Sequence, residues 1–149
     1  MLGKDEIERI ANEVVKELGS DYGEKIYQDA FLVELRLRGY QDYDREREIP
    51  VTYKNQHVGI VRADVVVRKG SEEVVLELKV GSDDGIKQKI KNELRAYLRA
   101  LGGRKDGMLR KGFVVMFPET AGTKDPELPA SAAVVEEIPT YETCAQSAA

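Results

Sequence analysis

Arg62-Ala63-Asp64-Val65-Val66-Val67-Arg68, then Lys69-Gly70-Ser71-Glu72, then Glu73-Val74-Val75-Leu76-Glu77-Leu78-Lys79-Val80 reads as two β-branched strands joined at a hairpin turn. Strand side chains alternate faces, so Glu77 and Lys79 share one face while Leu76, Leu78 and Val80 share the other. One face is therefore expected to be core and the other to bear charge. With a four-residue loop from Lys69 to Glu72, Arg68 pairs with Glu73 and Asp64 falls directly opposite Glu77, their Cβ atoms about 5 Å apart. A two-residue loop would make the acids diagonal neighbours on that face, and a three-residue loop would part them to opposite faces.

Outward from this hairpin, Ile49 to Tyr53 supplies a strand before it, so that Ile49–Tyr53, Val58–Arg68 and Glu73–Val80 form an antiparallel meander. Upstream, Ile7, Ile10, Ala11, Val14 and Leu18 recur at helical spacing and stop at Gly19. A second helix spans about Glu24 to Arg38, with Tyr27, Ala30, Phe31 and Leu35 on its apolar stripe and Gly39 as its stop. Downstream, Ile86, Ile90, Leu94, Tyr97, Leu98 and Leu101 mark a third helix that ends at Gly102-Gly103, and Gly112–Phe117 reads as a fourth strand. Pro118–Pro129 is loop-like, Ala132–Ile138 is a candidate further strand, and Thr140–Ala149 has the small polar composition of a disordered tail. The expected architecture is α/β (α+β): a central mixed sheet flanked by helices in the order ααβββαβ, as one domain over residues 1–139 followed by a tail at 140–149.

A length of 149 residues suits one core, and 42% hydrophobic with 34% charged residues describes a globular chain with an ionised surface. No apolar run approaches a membrane span, and Met1–Arg9 is too polar for a signal peptide, so the expectation is an intracellular, cytoplasmic protein with no membrane role. Cys144 is the sole cysteine, which excludes a disulfide framework and a cysteine zinc site. His57, the only histidine, has no cysteine or second histidine to complete a metal site and reads as a surface turn residue; no Ser-His-Asp set is assembled without it, and no Gly-rich phosphate loop precedes a helix. The net charge of −4 is uneven: Lys87–Lys111 carries +7 and the remainder −11, and local charge governs how a polyanion docks.

Facing carboxylates repel, so Asp64 and Glu77 call for a cation or for a proton on one of them. Mg²⁺ supplies the cation, because it commonly takes one or two carboxylates with water and substrate phosphate completing its shell. Lys79, on the same face, can position or activate a water and stabilise charge on a phosphate. These residue types suit phosphodiester hydrolysis, although a chain this rich in charge also produces Asp and Glu-x-Lys patterns on sheet surfaces. Glu24 is either a further acid of the site or, with Asp21, half of a helix capping box. Lys87, Lys91, Arg95 and Arg99 form an i to i+4 ridge that either tracks a nucleic-acid backbone or is a solvated face, with Glu93 and Tyr97 on the other flank.

Taken in order, these parts resemble the PD-(D/E)XK nuclease superfamily, and within it the GxxExxY protein family, over roughly Asp5 to Phe117. Glu24-Lys25-Ile26-Tyr27 matches the Glu-x-x-Tyr motif, with Asp21 where the motif has glycine; Arg62-Ala63-Asp64 matches the segment of the first metal-binding acid, and Leu76-Glu77-Leu78-Lys79 the Glu-x-Lys strand. The following helix has Glu93 where a glutamine is common. The resemblance implies a restriction-endonuclease-like core and a nuclease using Mg²⁺ or Mn²⁺ on DNA or RNA. In it Asp64 and Glu77 bind metal, Lys79 acts on the water, and Glu24 is an auxiliary acid. A nuclease-like fold kept as a non-catalytic nucleic-acid or protein binding module is the alternative, and a homodimer is left open.

Overall fold

Strand β3 (Glu72–Val80) lies at the centre of a five-stranded sheet ordered β1-β2-β3-β4-β5, with β1 at Tyr43–Tyr53, β2 at Gln56–Lys69, β4 at Leu109–Phe117 and β5 at Val134–Ile138. The structure is a computed structural model that describes residues 2–19, 22–81, 84–101, 107–118 and 133–138. β1, β2 and β3 form the antiparallel meander; β4 runs parallel to β3 after a crossover through helix α3 (Asp84–Leu101), and β5 is antiparallel to β4. The expected mixed sheet and element order are therefore present, with β5 added at the edge. Among the described residues no helix is long and apolar enough to cross a membrane. The Asp21 cap, the Gly102-Gly103 stop, the loop residues from 119 and the tail at 140–149 lie outside the described residues.

Helices α1 (Lys4–Leu18) and α2 (Glu24–Leu37) cover one face of the sheet, where Ile7, Ile10, Phe31 and Leu35 pack with Val65, Leu76, Leu78 and Phe117. α1 stops at Gly19, whose φ of 76° suits glycine. The other face, expected to bear charge, is covered by α3: Ile90, Leu94 and Leu98 pack on Val66, Val75 and Val114. Glu73 and Glu77 are consequently buried beneath it. Glu73 is matched there by Arg47 from β1 and Arg110 from β4, which hold its carboxyl below the usual range against the upward pull of burial.

Several strand ends differ from expectation, β4 starting at Leu109 rather than Gly112 and β2 spanning Gln56–Lys69 rather than Val58–Arg68, and two further differences bear on the site. β1 begins at Tyr43, six residues before the expected Ile49, because its charged residues sit on an edge strand and are tied down, as by the Arg68–Asp44 pair at 2.8 Å. The β2–β3 turn has two residues, Gly70-Ser71, rather than four, since Lys69 and Glu72 also pair. The shortening is symmetric, so Arg68 still faces Glu73 and the acids are not displaced to a diagonal.

The β1–β2 register shifts between Val51 and Thr52, and the ladder also breaks beside the acids: Arg45 pairs with Val65 and Arg47 with Ala63, but Glu46 and Asp64 do not pair. Glu46 has φ 49°, left-handed for a residue with a side chain. The break reverses the facing of β2, so Val65 joins the core under α1 and α2 whereas both Ala63 and Val66 join that under α3. Such strain costs on the order of 1–3 kcal/mol, and Glu46 is exposed, so substitution there reads backbone conformation with little packing change. In urea unfolding, Glu46→Gly is expected to stay within about 1 kcal/mol of wild type while Glu46→Val loses roughly 1–3 kcal/mol. Equal stability of Glu46→Val and wild type would contradict the strained turn.

Candidate active site

The β2–β3 ladder ends at Val65 opposite Leu76, one pair short of Asp64 and Glu77. There the side chains take over. The Asp64 backbone N–H donates to Glu77 Oε1 at 3.1 Å, and the Leu78 N–H donates to Asp64 Oδ2 at 2.9 Å. Carboxylate oxygens thus satisfy donors that strand carbonyls would otherwise accept, and both acids are drawn into the gap between parting strands. Lys79 joins them, its Nζ 3.6 Å from Asp64 Oδ2 and 3.9 Å from Glu24 Oε2.

Glu24 reaches this point because Gly23, in extended conformation, occupies the N-cap position of α2, leaving Glu24 in the first turn with no side-chain cap bond. The capping-box reading of Glu24 does not fit that boundary. α2 is fastened to β3 by Gln28, whose Nε2 donates to the Leu78 carbonyl at 2.9 Å. Gln28 was not singled out from the sequence, although its place one turn after Glu24 was a usable signal. Tyr27 is core: fully buried, stacked on Phe117 at 5.0 Å, and donating its hydroxyl to the Gly19 carbonyl.

Burial pushes the Glu77 carboxyl up to about 8, and the charge of Asp64 adds to the shift, against the opposing Asp64 N–H and Lys79. Burial alone would lower the Lys79 pKa, but the charges of Asp64, Glu24, Glu77 and Glu93 raise it on balance, so Lys79 is an ammonium at neutral pH. Asp64, Glu77 and Lys79 line a cleft of about 310 Å³, walled by Glu93 and Ala96 of α3 and by Ile60 to Arg62 of β2. Arg62 is the cation that sequence reading passed over, since a strand residue two before an acid carries no distinctive pattern.

The basic ridge of α3 is not brought to this cleft. Lys87 and Lys91 both pair with Glu136 of β5, on the side of α3 away from β2, while Arg95 donates to Asn92 at 3.3 Å and Arg99 is exposed. Spacing identified the ridge and the Glu93 flank as separate; only the packing of α3 determines which flank borders the acids.

Among the described residues, no three Asp, Glu, His or Cys side chains converge as a complete metal cage. The pair does suit a hydrated hard cation. Both donors are carboxylates, and Glu77 bears a charge that its surroundings oppose until a further positive charge is supplied.

A model of the PD-(D/E)XK nuclease superfamily matches residues 3–124, and the chain belongs to that superfamily. The match includes both N-terminal helices, β1 to β4 and α3, and leaves out β5. A solved structure described as "Crystal structure of SSO0001" is similar at 20% identity with a TM-score of 0.44, over 83% of this chain and 60% of that one, so this chain spans less than two thirds of its length. No curated protein matches.

Metal-free stability is expected to register Glu77. Between its ordinary value of 4.5 and about 8 the folded state holds a proton that the unfolded chain has lost, so stability falls as pH rises through that window and levels off above it. The loss is on the order of a few kcal/mol. Thermal melts in chelator should show this slope in wild type and lose it in Glu77→Gln; a wild-type melting temperature that climbs across the window would contradict the assignment.

Proposed function

We propose that this protein hydrolyses phosphodiester bonds of nucleic acid, DNA or RNA, using Mg²⁺ or Mn²⁺ held by Asp64 and Glu77. The observation that carries the reading is the joining of these two carboxylates where the β2–β3 ladder stops, with Lys79 beside them. Membership of a nuclease superfamily supports it. The Glu24-Lys25-Ile26-Tyr27 motif, with Glu24 beside Lys79, supports placement in the GxxExxY family.

A divalent cation in such a site polarises phosphoryl oxygen and acidifies water. The protein's own residues define the rest. Asp64 and Glu77 are fixed by backbone donors, so they present their remaining lone pairs in a set geometry. Lys79 stays protonated among its acidic neighbours, so it orients a water and stabilises charge on the phosphate rather than accepting a proton. Glu24 lies on the other side of the ammonium as an auxiliary acid, and Glu93 on the cleft wall is a weaker one. The ridge Lys87, Lys91, Arg95 and Arg99 enters only as an outer contact for a long polyanion, because Lys87 and Lys91 already hold Glu136.

Purified protein with labelled DNA and RNA oligonucleotides is expected to cleave in Mg²⁺ or Mn²⁺ and to stop in chelator. Asp64→Asn and Lys79→Ala should each reduce the rate by about 10²-fold or more. Above about pH 8, where Glu77 is ionised, Asp64→Asn should also raise the metal-free melting temperature modestly by removing repulsion from Glu77. Binding of nucleic acid without divalent-dependent cleavage would favour a non-catalytic binding module instead.

A further inference from the structure

Successive strand residues turn their backbone groups to opposite neighbours, and along the line of β3 the odd-numbered ones face β4: the Gly81 N–H donates to the Phe117 carbonyl at 3.0 Å, and the Leu109 N–H to the Ser71 carbonyl at 2.8 Å. Leu76 and Leu78 therefore turn both N–H and C=O toward β2. Leu76 meets Val65 there, and the same register would set Leu78 opposite Ala63. That pair does not form, because β2 has left β3 to run with β1 alone, as an arm from Arg47 opposite Ala63 to Tyr53 opposite Gln56.

Leu78 is left with a donor and an acceptor that no strand meets, and two side chains take them. Asp64 Oδ2 accepts its N–H at 2.9 Å, and Gln28 Nε2, from α2, donates to its carbonyl at 2.9 Å. That carbonyl belongs to the peptide joining Leu78 to Lys79, and the peptide is planar, so holding its oxygen fixes the point from which the Lys79 side chain departs. On its other edge Lys79 pairs with Met116 of β4. Helix α2 thus reaches Lys79 twice: through Gln28 at the backbone, and through Glu24, one turn earlier, whose Oε2 lies 3.9 Å from Nζ.

We infer that Gln28 is a positioning residue of the site: by holding the Leu78 carbonyl it fixes the aim of Lys79 at the water and the phosphate. This rests on the phosphodiesterase reading and adds to it a residue that does not itself line the cleft. Stability alone gives little reason for the bond. Gln28 is half-buried, and a water would serve such a carbonyl nearly as well enthalpically. A water would leave the peptide free to shift, whereas Gln28 ties it to a helix anchored in the core through Tyr27, Phe31 and Leu35. Misplacing a reacting group by about 1 Å can cost roughly 10²-fold in rate, so a bond of small worth to the fold is of large worth to the chemistry.

The test compares full-length Gln28→Met, which keeps the side-chain length and removes the donor, with Gln28→His, which returns an N–H at similar reach. In cleavage of fluorescein-labelled DNA and RNA oligonucleotides with Mg²⁺, Gln28→Met is expected to lower kcat at least about tenfold with KM within about twofold, and Gln28→His to recover kcat to within about threefold of wild type. Thermal melts of both should stay close to wild type. A second readout needs no turnover. In metal-free protein carrying isotope-labelled lysine, the two Hε protons of an immobilised Lys79 are inequivalent, their signal assigned by its loss in Lys79→Arg. They should merge in Gln28→Met and part again in Gln28→His. An Hε pair already merged in wild type or still parted in Gln28→Met would overturn the inference. So would an unchanged kcat in folded Gln28→Met, no recovery in Gln28→His, or unfolding of both variants at assay temperature, which would make Gln28 structural. A wild type that cleaves neither nucleic acid, with the Hε pair responding as expected, would instead count against the phosphodiesterase reading alone.

Discussion

The exchange in which Asp64 accepts from the Leu78 N–H while Glu77 accepts from the Asp64 N–H is the constraint on which the rest of this structure depends. Two strands that stay paired leave no room for a site between them, and two that part leave buried donors unsatisfied. Using carboxylates as acceptors meets both demands. The neighbouring features follow from it: the left-handed Glu46 opposite Asp64, the reversal of facing along β2, and an arm that leaves the sheet with β1 alone.

The arrangement carries an electrostatic cost. Glu77 is nearly inaccessible beneath α3 and close to a second acid, and the single ammonium of Lys79 is shared among Asp64, Glu24, Glu77 and Glu93. The contrast with Glu73, four residues earlier on the same face, is informative. Glu73 is equally buried yet has three arginines against it, Arg47, Arg68 and Arg110, so its charge is favoured where that of Glu77 is opposed. A structural carboxylate is balanced within the fold. The imbalance at Glu77 suits a group that is completed from outside, as functional sites often are.

Much of this was legible in the sequence because it depends on short-range alternation. Val65 to Val67 and Val74 to Leu78 have the pattern of buried strands, and that pattern brings Asp64 and Glu77 together whether the turn has two residues or four, provided it is trimmed evenly. What depends on distant partners was not legible. Tyr43–Glu48 reads as polar until Arg68 and Glu73 are seen to bind its charges. The flank of α3 that borders the acids is settled by Leu94 and Leu98 packing on the sheet, which turns Glu93 toward the cleft and Lys87 and Lys91 toward Glu136. Arg62 gains its place only from the departure of β2.

The central claim is that Asp64 and Glu77 together form a divalent-cation site. Crystals grown metal-free and soaked in Mn²⁺, with anomalous diffraction recorded before and after, test it without knowledge of any substrate. The account predicts one anomalous peak within coordination distance, about 2.0–2.4 Å, of an oxygen from each of the two carboxylates. A Mn²⁺ peak elsewhere, or none at the pair at millimolar concentration with Glu77 still hydrogen-bonded to the Asp64 N–H, would contradict it.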